Sequence, residues 1–348
     1  MKKILISLIL VICLVLGISG CNSGSENIDS STVPSGSSSV TSSESQQEEV
    51  EKVNNPLSVA QLELVPGTGG MSYVITLRNE GFIIIDGGQG NQFYSRHSNV
   101  LFKYLFDRTT KGEKPVILGW FFTHFHNDHV ECAAEFLKEQ ADRLDVRAFY
   151  INSPGGDDYE DRQTAMEDLL ESGMNAYPNA ERHYLVTGEK IEFPHCTVDT
   201  LLTSSNLNSN EDTRPNNISA VFKMNFDTGK SFLVTGDTDH NRVLQLFDKS
   251  SSVYRPLEDL KCDIYQTPHH GRSLATAEEP LKLKTCYEQL NPQIVFIPIS
   301  EKNLKADEFY NDSKWAENYY LINESGAEIY HHSQTVTVNM EDLSTEID

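Results

Sequence analysis

Residues 123–130, THFHNDHV, place three histidines and an aspartate between positions 124 and 129. The apolar segment GWFF precedes this motif, and ECAAEFLKEQ, which has the pattern of a helix, follows it. Imidazoles and carboxylates are poor core residues, because a buried one must be paired or must coordinate something. The sequence therefore predicts a functional site at the point where a buried strand gives way to a helix.

The spacing within this motif suits two metal ions. His124 and His126 are two positions apart at the end of an extended segment, so their side chains lie on the same side. Asp128 and His129 follow where the chain bends into the helix. We therefore expect two sets of ligands for two neighbouring divalent ions. Imidazole with carboxylate suits zinc, our first choice, with manganese or iron as alternatives, better than calcium.

Three other segments end predicted strands with residues that can bind metals. They are FIIIDGG with Asp86, FLVTGDTD with Asp237, and YQTPHHG with His269 and His270. One such residue is commonly structural, but four strand ends of this kind predict one shared site. For five other histidines we expect surface or edge-strand positions outside the site; these are His183, His195, His240, His331 and His332.

The order of apolar segments predicts an α/β fold with mixed sheets, because strands alternate with helices and hairpins occur among them. Residues 72–88 predict two strands joined at Asn79–Gly81, and residues 217–237 predict a hairpin that turns at residues 227–230. We expect the helix near residue 170 to end at Gly173, and the segment EIYHHSQTVTV to form a hairpin.

The N-terminus has the features of an export signal. Lys2 and Lys3 precede an apolar run that ends at ISGC, and Ser19-Gly20-Cys21 resembles the lipobox of bacterial lipoproteins. By that resemblance residues 1–21 are a lipoprotein signal peptide with Cys21 lipidated, on the extracellular face of the cytoplasmic membrane. A plain signal peptide with an incidental cysteine is the alternative.

Residues 22–56 are rich in Ser, Gly and Glu and predict a disordered tether that spans roughly 30 Å. The remainder, residues 57–348, predicts one domain, since no second linker or repeat interrupts it. Its scattered cysteines predict buried free thiols, with one disulfide left open.

The net charge of the chain indicates which classes of partner it favours or disfavours. The chain has a formal net charge of −23, and removal of Lys2 and Lys3 with the signal leaves 26 basic and 51 acidic residues, or −25. Such a field repels polyanions and disfavours nucleic acid as a partner. A small phosphate-containing substrate held by metal ions remains compatible. The sequence indicates no protein partner.

HFHNDH matches the HxHxDH signature of the metallo-β-lactamase fold superfamily. The order of Asp-Gly-Gly, HxHxDH, Thr-Gly-Asp and Pro-His-His-Gly resembles that superfamily over about residues 60–340. The resemblance implies an αββα sandwich of two mixed β-sheets flanked by helices. It further implies a role for each motif residue: His124 and His126 bind metal 1, Asp128 and His129 bind metal 2, Asp237 bridges both, His270 (with His269 as the alternative) completes metal 2, and Asp86 orients a ligand or loop.

This sequence departs from the family at one ligand. A third histidine usually binds metal 1 about twenty residues before the bridging aspartate, where this chain has RPNNISAV. Asn216 or Asn217 falls in that position, and we expect Asn217 or water to take it. Metal 1 should then be bound more loosely than metal 2. True zinc β-lactamases usually have a cysteine where Asp237 stands, so we do not expect antibiotic hydrolysis.

The resemblance implies a binuclear metallo-hydrolase that uses a metal-bound hydroxide, with Asp128 accepting a proton and His269 contacting the substrate. Similarity to competence proteins and to phosphorylcholine esterases suggests a phosphodiester substrate, either nucleic acid or a small or cell-wall ester. An iron-dependent oxidoreductase of the same fold is one alternative. A non-catalytic surface binding protein with a structural metal is the other.

Overall fold

The computed structural model of the protein describes residues 52–65, 69–152, 161–206, 216–271, 287–300 and 323–348, with the backbone only at 161–163 and 240. The first seven strands belong to one sheet: β1 (Leu57–Gln61), β2 (Ser72–Leu77), β3 (Phe82–Asp86), β4 (Val116–Phe122), β5 (Asp145–Val146), β6 (Ala148–Ile151) and β7 (Glu181–Tyr184). The predicted strands that join at Asn79–Gly81 are β2 and β3, paired antiparallel.

The next seven strands form a second sheet: β8 (Lys190–Phe193), β9 (Cys196–Leu202), β10 (Val221–Phe226), β11 (Ser231–Val234), β12 (Ile264–Gln266), β13 (Ile294–Ile297) and β14 (Glu328–His331). Strands β15 (Val336–Asn339) and β16 (Thr345–Ile347) return to the first sheet. Within the described ranges the strand order is β16-β15-β1-β2-β3-β4-β6-β7, with β5 beside β4, and β14-β13-β12-β11-β10-β9-β8. Both sheets contain parallel and antiparallel pairs.

The α-helices of the described residues include α1 (Tyr94–Asp107), α2 (Asn127–Glu139), α3 (Asp161–Met174), α4 (His240–Gln245) and α5 (Leu257–Leu260), and residues 287–290 are also helical. In α1 the buried positions include Leu101, Tyr104 and Leu105, which share one face of the helix at the spacing of its turns. Among the residues that the structure describes, every helix is too short or too polar to cross a membrane.

The apolar side chains form three layers. One cluster lies between the sheets and includes Tyr73, Phe121 and Phe222. A second cluster packs the outer face of the first sheet against α1, α2 and α3, with Trp120 and Phe136 among its members. A third covers the outer face of the second sheet with α4 and α5. The predicted sandwich of two mixed sheets flanked by helices is therefore confirmed.

The parallel strands place the chemically active residues at one edge. Strands β3 and β4 run parallel, and so do β11, β12 and β13. Because parallel strands end on the same side of a sheet, the residues that follow β3, β4, β11 and β12 gather at a common edge. At this edge the Ala220 amide donates to the Thr123 carbonyl at 2.9 Å, which joins the two sheets.

Two secondary-structure predictions were wrong. Helix α3 does not end at Gly173 but continues to Met174, and a Cβ on Gly173 would lie 2.7 Å from the Ala134 carbonyl oxygen. This glycine therefore allows α3 to pack closely against α2. The predicted hairpin near residue 333 does not form either, because β14 pairs with β13 and β15 pairs with β1, so the chain crosses between the sheets there.

The cysteines that the structure describes, Cys132, Cys196 and Cys262, are buried free thiols, as expected. The predicted signal peptide, its Cys21 and most of the tether lie outside the described residues.

Candidate metal centre

The HxHxDH motif spans the junction of β4 and α2. His126, with an extended backbone, precedes the first residue of α2, and Asp128 lies in the first turn. The Gly87 amide donates to the His129 carbonyl at 2.7 Å, which fixes the start of α2 against the end of β3. A Cβ on Gly87 would lie 2.6 Å from Ala133 Cβ, so only glycine allows this close approach. The histidines are thus placed by a strand end and a helix start that contact each other directly.

Asp86 is the buried carboxylate that organises this junction. Its Oδ1 accepts from the Thr123 amide at 2.8 Å, and its Oδ2 accepts from Thr123 Oγ1 and His129 Nδ1, each at 2.7 Å. Trp120 Nε1 also donates to the Asp86 carbonyl at 3.0 Å. Burial raises the pKa of this carboxyl, and the bonds from His129 and Thr123 partly offset that effect. Asp86 therefore contacts the motif from behind rather than joining the ligand cluster.

Three histidines are held through Nδ1. The Nδ1 atom of His129 donates to Asp86, that of His124 lies 3.2 Å from Thr123 Oγ1, and that of His270 donates to the Pro298 carbonyl at 2.9 Å. Since Thr123 Oγ1 donates to Asp86, it is the acceptor toward His124. In the neutral ring the proton is then on Nδ1, which leaves a lone pair on each Nε2 atom.

These Nε2 atoms face carboxylate oxygens. We define the first cluster as His124, His126 and Asp237, and the second cluster as Asp128, His129, Asp237 and His270; in each, the ligand atoms lie within 4.8 Å of one another. Asp237 lies 3.8, 3.3 and 3.1 Å from the Nε2 atoms of His124, His129 and His270. Ligand atoms about 2.1 Å from a tetrahedral zinc ion lie roughly 3.4 Å apart. The spacing fits two ions that share Asp237.

Buried polar atoms provide an independent test of this fit. The Nε2 atoms of His124, His129 and His270 and Oδ1 of Asp237 are buried and make no hydrogen bond with any described group. Leaving such atoms unsatisfied costs about 1–3 kcal/mol each. All of them can donate an electron pair, and a divalent cation is the partner that satisfies them together. The residues present therefore fit a pair of metal ions.

The carboxylates of the second cluster favour positive charge on its histidines. Burial lowers the pKa of His270, but Asp237 and Asp128 outweigh burial and raise this pKa to about 9. Burial likewise opposes charge on His129, yet Asp237 and Asp86 raise its pKa well above the usual value. For Asp237, burial raises the pKa, but the charges of His270 and His129 hold it well below the usual range. The carboxylates thus attract positive charge to the Nε2 atoms, whether a proton or a metal ion.

The structure separates the two histidines of the PHHG segment. His270 belongs to the second cluster, whereas His269 Nε2 lies 2.9 Å from Asn216 Nδ2. Both residues adopt left-handed backbone conformations, with φ of 48° for His269 and 55° for His270. Such conformations cost on the order of 1–3 kcal/mol and are commonly found at functional sites. Here they direct adjacent imidazoles to different partners.

Asn217, the residue expected to replace the third histidine, is buried, and its carbonyl accepts from Arg242 Nη1. Asn216 is the residue that contacts His269. His183 lies on the sheet-edge strand β7, and His195 lies in the β8–β9 turn, as expected for positions outside the site. The side chain of His240 lies outside the described residues.

Two positions near the site were missed in the sequence. Gly69 forms a bridge to Ile299, and a Cβ on it would lie 3.2 Å from Asp128 Oδ2 and 3.5 Å from His270 Nε2. The glycine-rich run PGTGG was the signal that could have indicated a backbone close to the site. Ser219 Oγ accepts from the Asp237 amide at 3.1 Å, and no local pattern marks this contact.

The comparisons show only distant similarity. No protein-family model and no curated protein match this sequence. The metallo-beta-lactamase fold protein YhfI from Bacillus subtilis is 9% identical, with a TM-score of 0.49 over 80% of this chain and 97% of that chain. Unliganded yeast PDE1 is 13% identical, with a TM-score of 0.47 over 80% and 98%. CmlA, a diiron beta-hydroxylase from Streptomyces venezuelae, is 14% identical, with a TM-score of 0.45 over 82% and 54%. At these scores the likeness says nothing about chemistry.

We predict that Asp86→Asn weakens metal binding. The amide removes the charge that holds His129 and places an N–H donor where Thr123 or His129 now donates. Loss of such a partner behind a ligand typically lowers metal affinity about 10–100-fold. Zinc affinity should be measured by competition with a chromophoric chelator. Asp227→Asn, at an exposed position, is the control, and equal affinity of the two variants would contradict this role.

His332 differs from its predicted surface position. It is 1% exposed, and neither ring nitrogen makes a hydrogen bond within the described structure. Burial, with further contributions from His270 and His97, lowers its pKa to about 3. The prediction was wrong because the crossing from β14 to β15 carries this residue into the interior, where its backbone carbonyl accepts from the Leu64 amide.

We predict that His332 makes the fold sensitive to acid. The unfolded ring gains a proton below pH 6.5 and the folded ring only near pH 3, so stability falls as pH falls between these values. At pH 5.5 the loss should be about 1.4 kcal/mol relative to pH 7.5. Urea unfolding of the zinc-loaded wild type and of His332→Leu at both pH values measures it. An equal loss in both proteins would contradict the prediction.

Proposed function

We propose that this protein is a binuclear metal-dependent hydrolase that acts on a phosphodiester. The observation that carries the proposal is Asp237, whose two carboxylate oxygens face histidines of both clusters. A carboxylate shared in this way would be a ligand of both ions, and two ions so held would stabilise the attacking and leaving oxygens together, as in two-metal hydrolases.

The residues of the site would have different roles in the reaction. When bound, the two divalent ions supply Lewis acidity toward the substrate oxygens and lower the pKa of water. The buried His124 and His129 orient Nε2 toward Asp237 and exclude water from behind the site. Asp128 is more accessible than Asp237, and its Oδ2 lies 3.3 Å from His270 Nε2. We assign Asp128 to accept a proton from the attacking water.

His269 is suited to contact the substrate. Asn216 Nδ2 donates to its Nε2 atom, so the neutral ring has its proton on Nδ1. The ring is held in one orientation beside His270, with the two ring centroids 6.0 Å apart. A fixed N–H donor next to the metal centre can stabilise charge that develops on a phosphoryl or leaving-group oxygen.

The substrate that we favour is a small or cell-wall phosphodiester rather than nucleic acid. A net charge of −23 repels a polyanion at long range, whereas a small monoanionic diester meets two cations at the site. The iron-dependent oxidoreductase is the second candidate from the sequence. Identification of the bound metals separates the two, since two zinc or manganese ions support the hydrolase and iron supports the oxidoreductase.

We predict that Asp237→Ala abolishes hydrolysis of bis(4-nitrophenyl) phosphate, because both clusters lose a ligand. The double variant His126→Ala/His129→Ala should do the same. Activity should fall at least about 1,000-fold while the far-ultraviolet circular dichroism of the folded protein is retained. Exposed Asp227→Ala is the control. Full activity in either site variant would refute the proposal, and parallel assays with single-stranded DNA and with a phosphorylcholine ester rank the substrates.

We further propose that the protein acts outside the cell on a lipid anchor at Cys21. Ser-Gly-Cys directly after the apolar run supports this location, and the Ser-rich segment 22–56 would hold the domain clear of the membrane. Cys21→Ser removes the thiol that would be lipidated. We expect the wild type in the membrane fraction and this variant in the soluble or unprocessed form. Equal distribution after cell fractionation, with no fatty-acid labelling of the wild type, would contradict the anchor.

A further inference from the structure

We propose that Asn216, rather than Asn217, supplies the missing ligand to the first cluster, through its side-chain Oδ1. This proposal deepens the metal-dependent function proposed above and rests on it. Asn216 lies 21 positions before the shared Asp237, in the region where the related family usually has its third histidine. The structure distinguishes the two asparagines, which the sequence could not.

The Oδ1 atom of Asn216 is buried and makes no hydrogen bond with any described residue. It shares this state with Nε2 of His124, His129 and His270 and with Oδ1 of Asp237. Each of these atoms offers an electron pair and no proton. An amide oxygen among such atoms is satisfied by the same partner, a divalent cation, to which oxygen ligands bind readily.

A contact with His269 orients the side-chain amide of Asn216. Asn216 Nδ2 lies 2.9 Å from His269 Nε2, and the amide nitrogen is the atom that can donate to a ring nitrogen. In this orientation Nδ2 faces His269, and Oδ1 is the end of the amide that has no hydrogen bond within the described structure. The contact also anchors the side chain beside the PHHG segment, so Oδ1 is held in place rather than free to turn toward solvent.

Several hydrogen bonds hold the turn at residues 216–219 in place. The guanidinium of the buried Arg242 donates to the Asn217 carbonyl and, at 2.7 Å, to the Thr203 carbonyl. Asn152 Nδ2 donates to the carbonyls of Ile218 and Thr123, which ties the turn to the residue before His124. Ser219 Oγ accepts from the Asp237 amide. The turn is thus joined to the chain on both sides of the first cluster.

The ligand count indicates which cluster receives this oxygen. Among the described residues the second cluster has four protein ligands, Asp128, His129, Asp237 and His270, whereas the first has only His124, His126 and Asp237. Structural zinc sites usually have four protein ligands, whereas catalytic sites have three and a water or substrate. The first cluster, with one protein ligand fewer, is therefore the one that can accept the Asn216 oxygen. The contact that the structure gives Asn217, a carbonyl bond to Arg242, assigns that residue to support of the turn.

The test compares variants of Asn216 by zinc affinity. Asn216→Leu removes the ligand atom at similar size, and Asn216→Asp keeps an oxygen but removes the N–H donor to His269. We expect Asn216→Leu to lower the affinity for the more weakly bound zinc ion at least about tenfold, and Asn216→Asp to keep or raise it. Chelator competition with elemental analysis gives affinity and stoichiometry. If the aspartate variant loses affinity as the leucine variant does, the amide acts only through His269 and the proposal is overturned.

Two control experiments test whether the effect is specific to Asn216 and to the first cluster. Asn217→Leu changes the neighbouring amide and should leave the affinity for both ions unchanged. In a His124→Ala background, where the first cluster is already impaired, Asn216→Leu should cause no further loss; a full additional loss would place Asn216 at the second cluster and overturn the assignment. If leucine prevents folding, Asn216→Ala makes the same comparison.

The zinc affinities and the hydrolysis assay can refute the ligand assignment and the hydrolase function separately. A wild-type protein that binds two zinc ions but hydrolyses no ester would refute the hydrolase, while the affinities of the Asn216 variants would still decide the ligand. A wild type that hydrolyses diesters and shows unchanged zinc affinity in Asn216→Leu would refute the ligand alone. Binding of a single zinc ion by the wild type would overturn both.

Discussion

The candidate site depends on one fully buried carboxylate, Asp86. A carboxylate without solvent must have its charge matched by hydrogen-bond donors, and here the donors come from Thr123 and His129. These bonds join the ends of β3 and β4 to the first turn of α2. They also leave Nε2 of His129 available for a ligand. The residue that stabilises the junction is therefore the one that prepares a histidine for metal binding.

The candidate metal centre lies where the two sheets of the sandwich meet. His124, His126, Asp128 and His129 follow a strand of the first sheet, whereas Asp237 and His270 follow strands of the second. Contacts such as that between the Ala220 amide and the Thr123 carbonyl hold the two sheets in register at this edge. Because each ion would take ligands from both sheets, metal binding and the packing of the sheets must stabilise each other. Bound metal ions would relieve the repulsion between the neighbouring carboxylates and would satisfy the buried lone pairs that have no hydrogen bond.

Much of the fold followed from local patterns. Apolar runs that end in Asp or His predicted β3, β4, β11 and β12 and the edge at which they gather. Three expectations failed because a longer-range contact decided the outcome. Gly173 suited a helix end locally, but α3 continues through it since glycine lets the helix approach Ala134. The chain at residues 332–335 has the composition of a turn, yet it crosses between sheets and buries His332.

The sequence by itself determined which types of metal-binding side chain lie together. The strand ends, the HxHxDH spacing and the order of the motifs along the chain can all be read directly from it. It left open which of His269 and His270 belongs to the cluster, and which of Asn216 and Asn217 faces it. Those choices were made by contacts between residues far apart in the chain, such as Asn216 with His269 and Arg242 with Asn217. Adjacent residues in a turn point in different directions, and only the packed tertiary structure fixes which direction is inward.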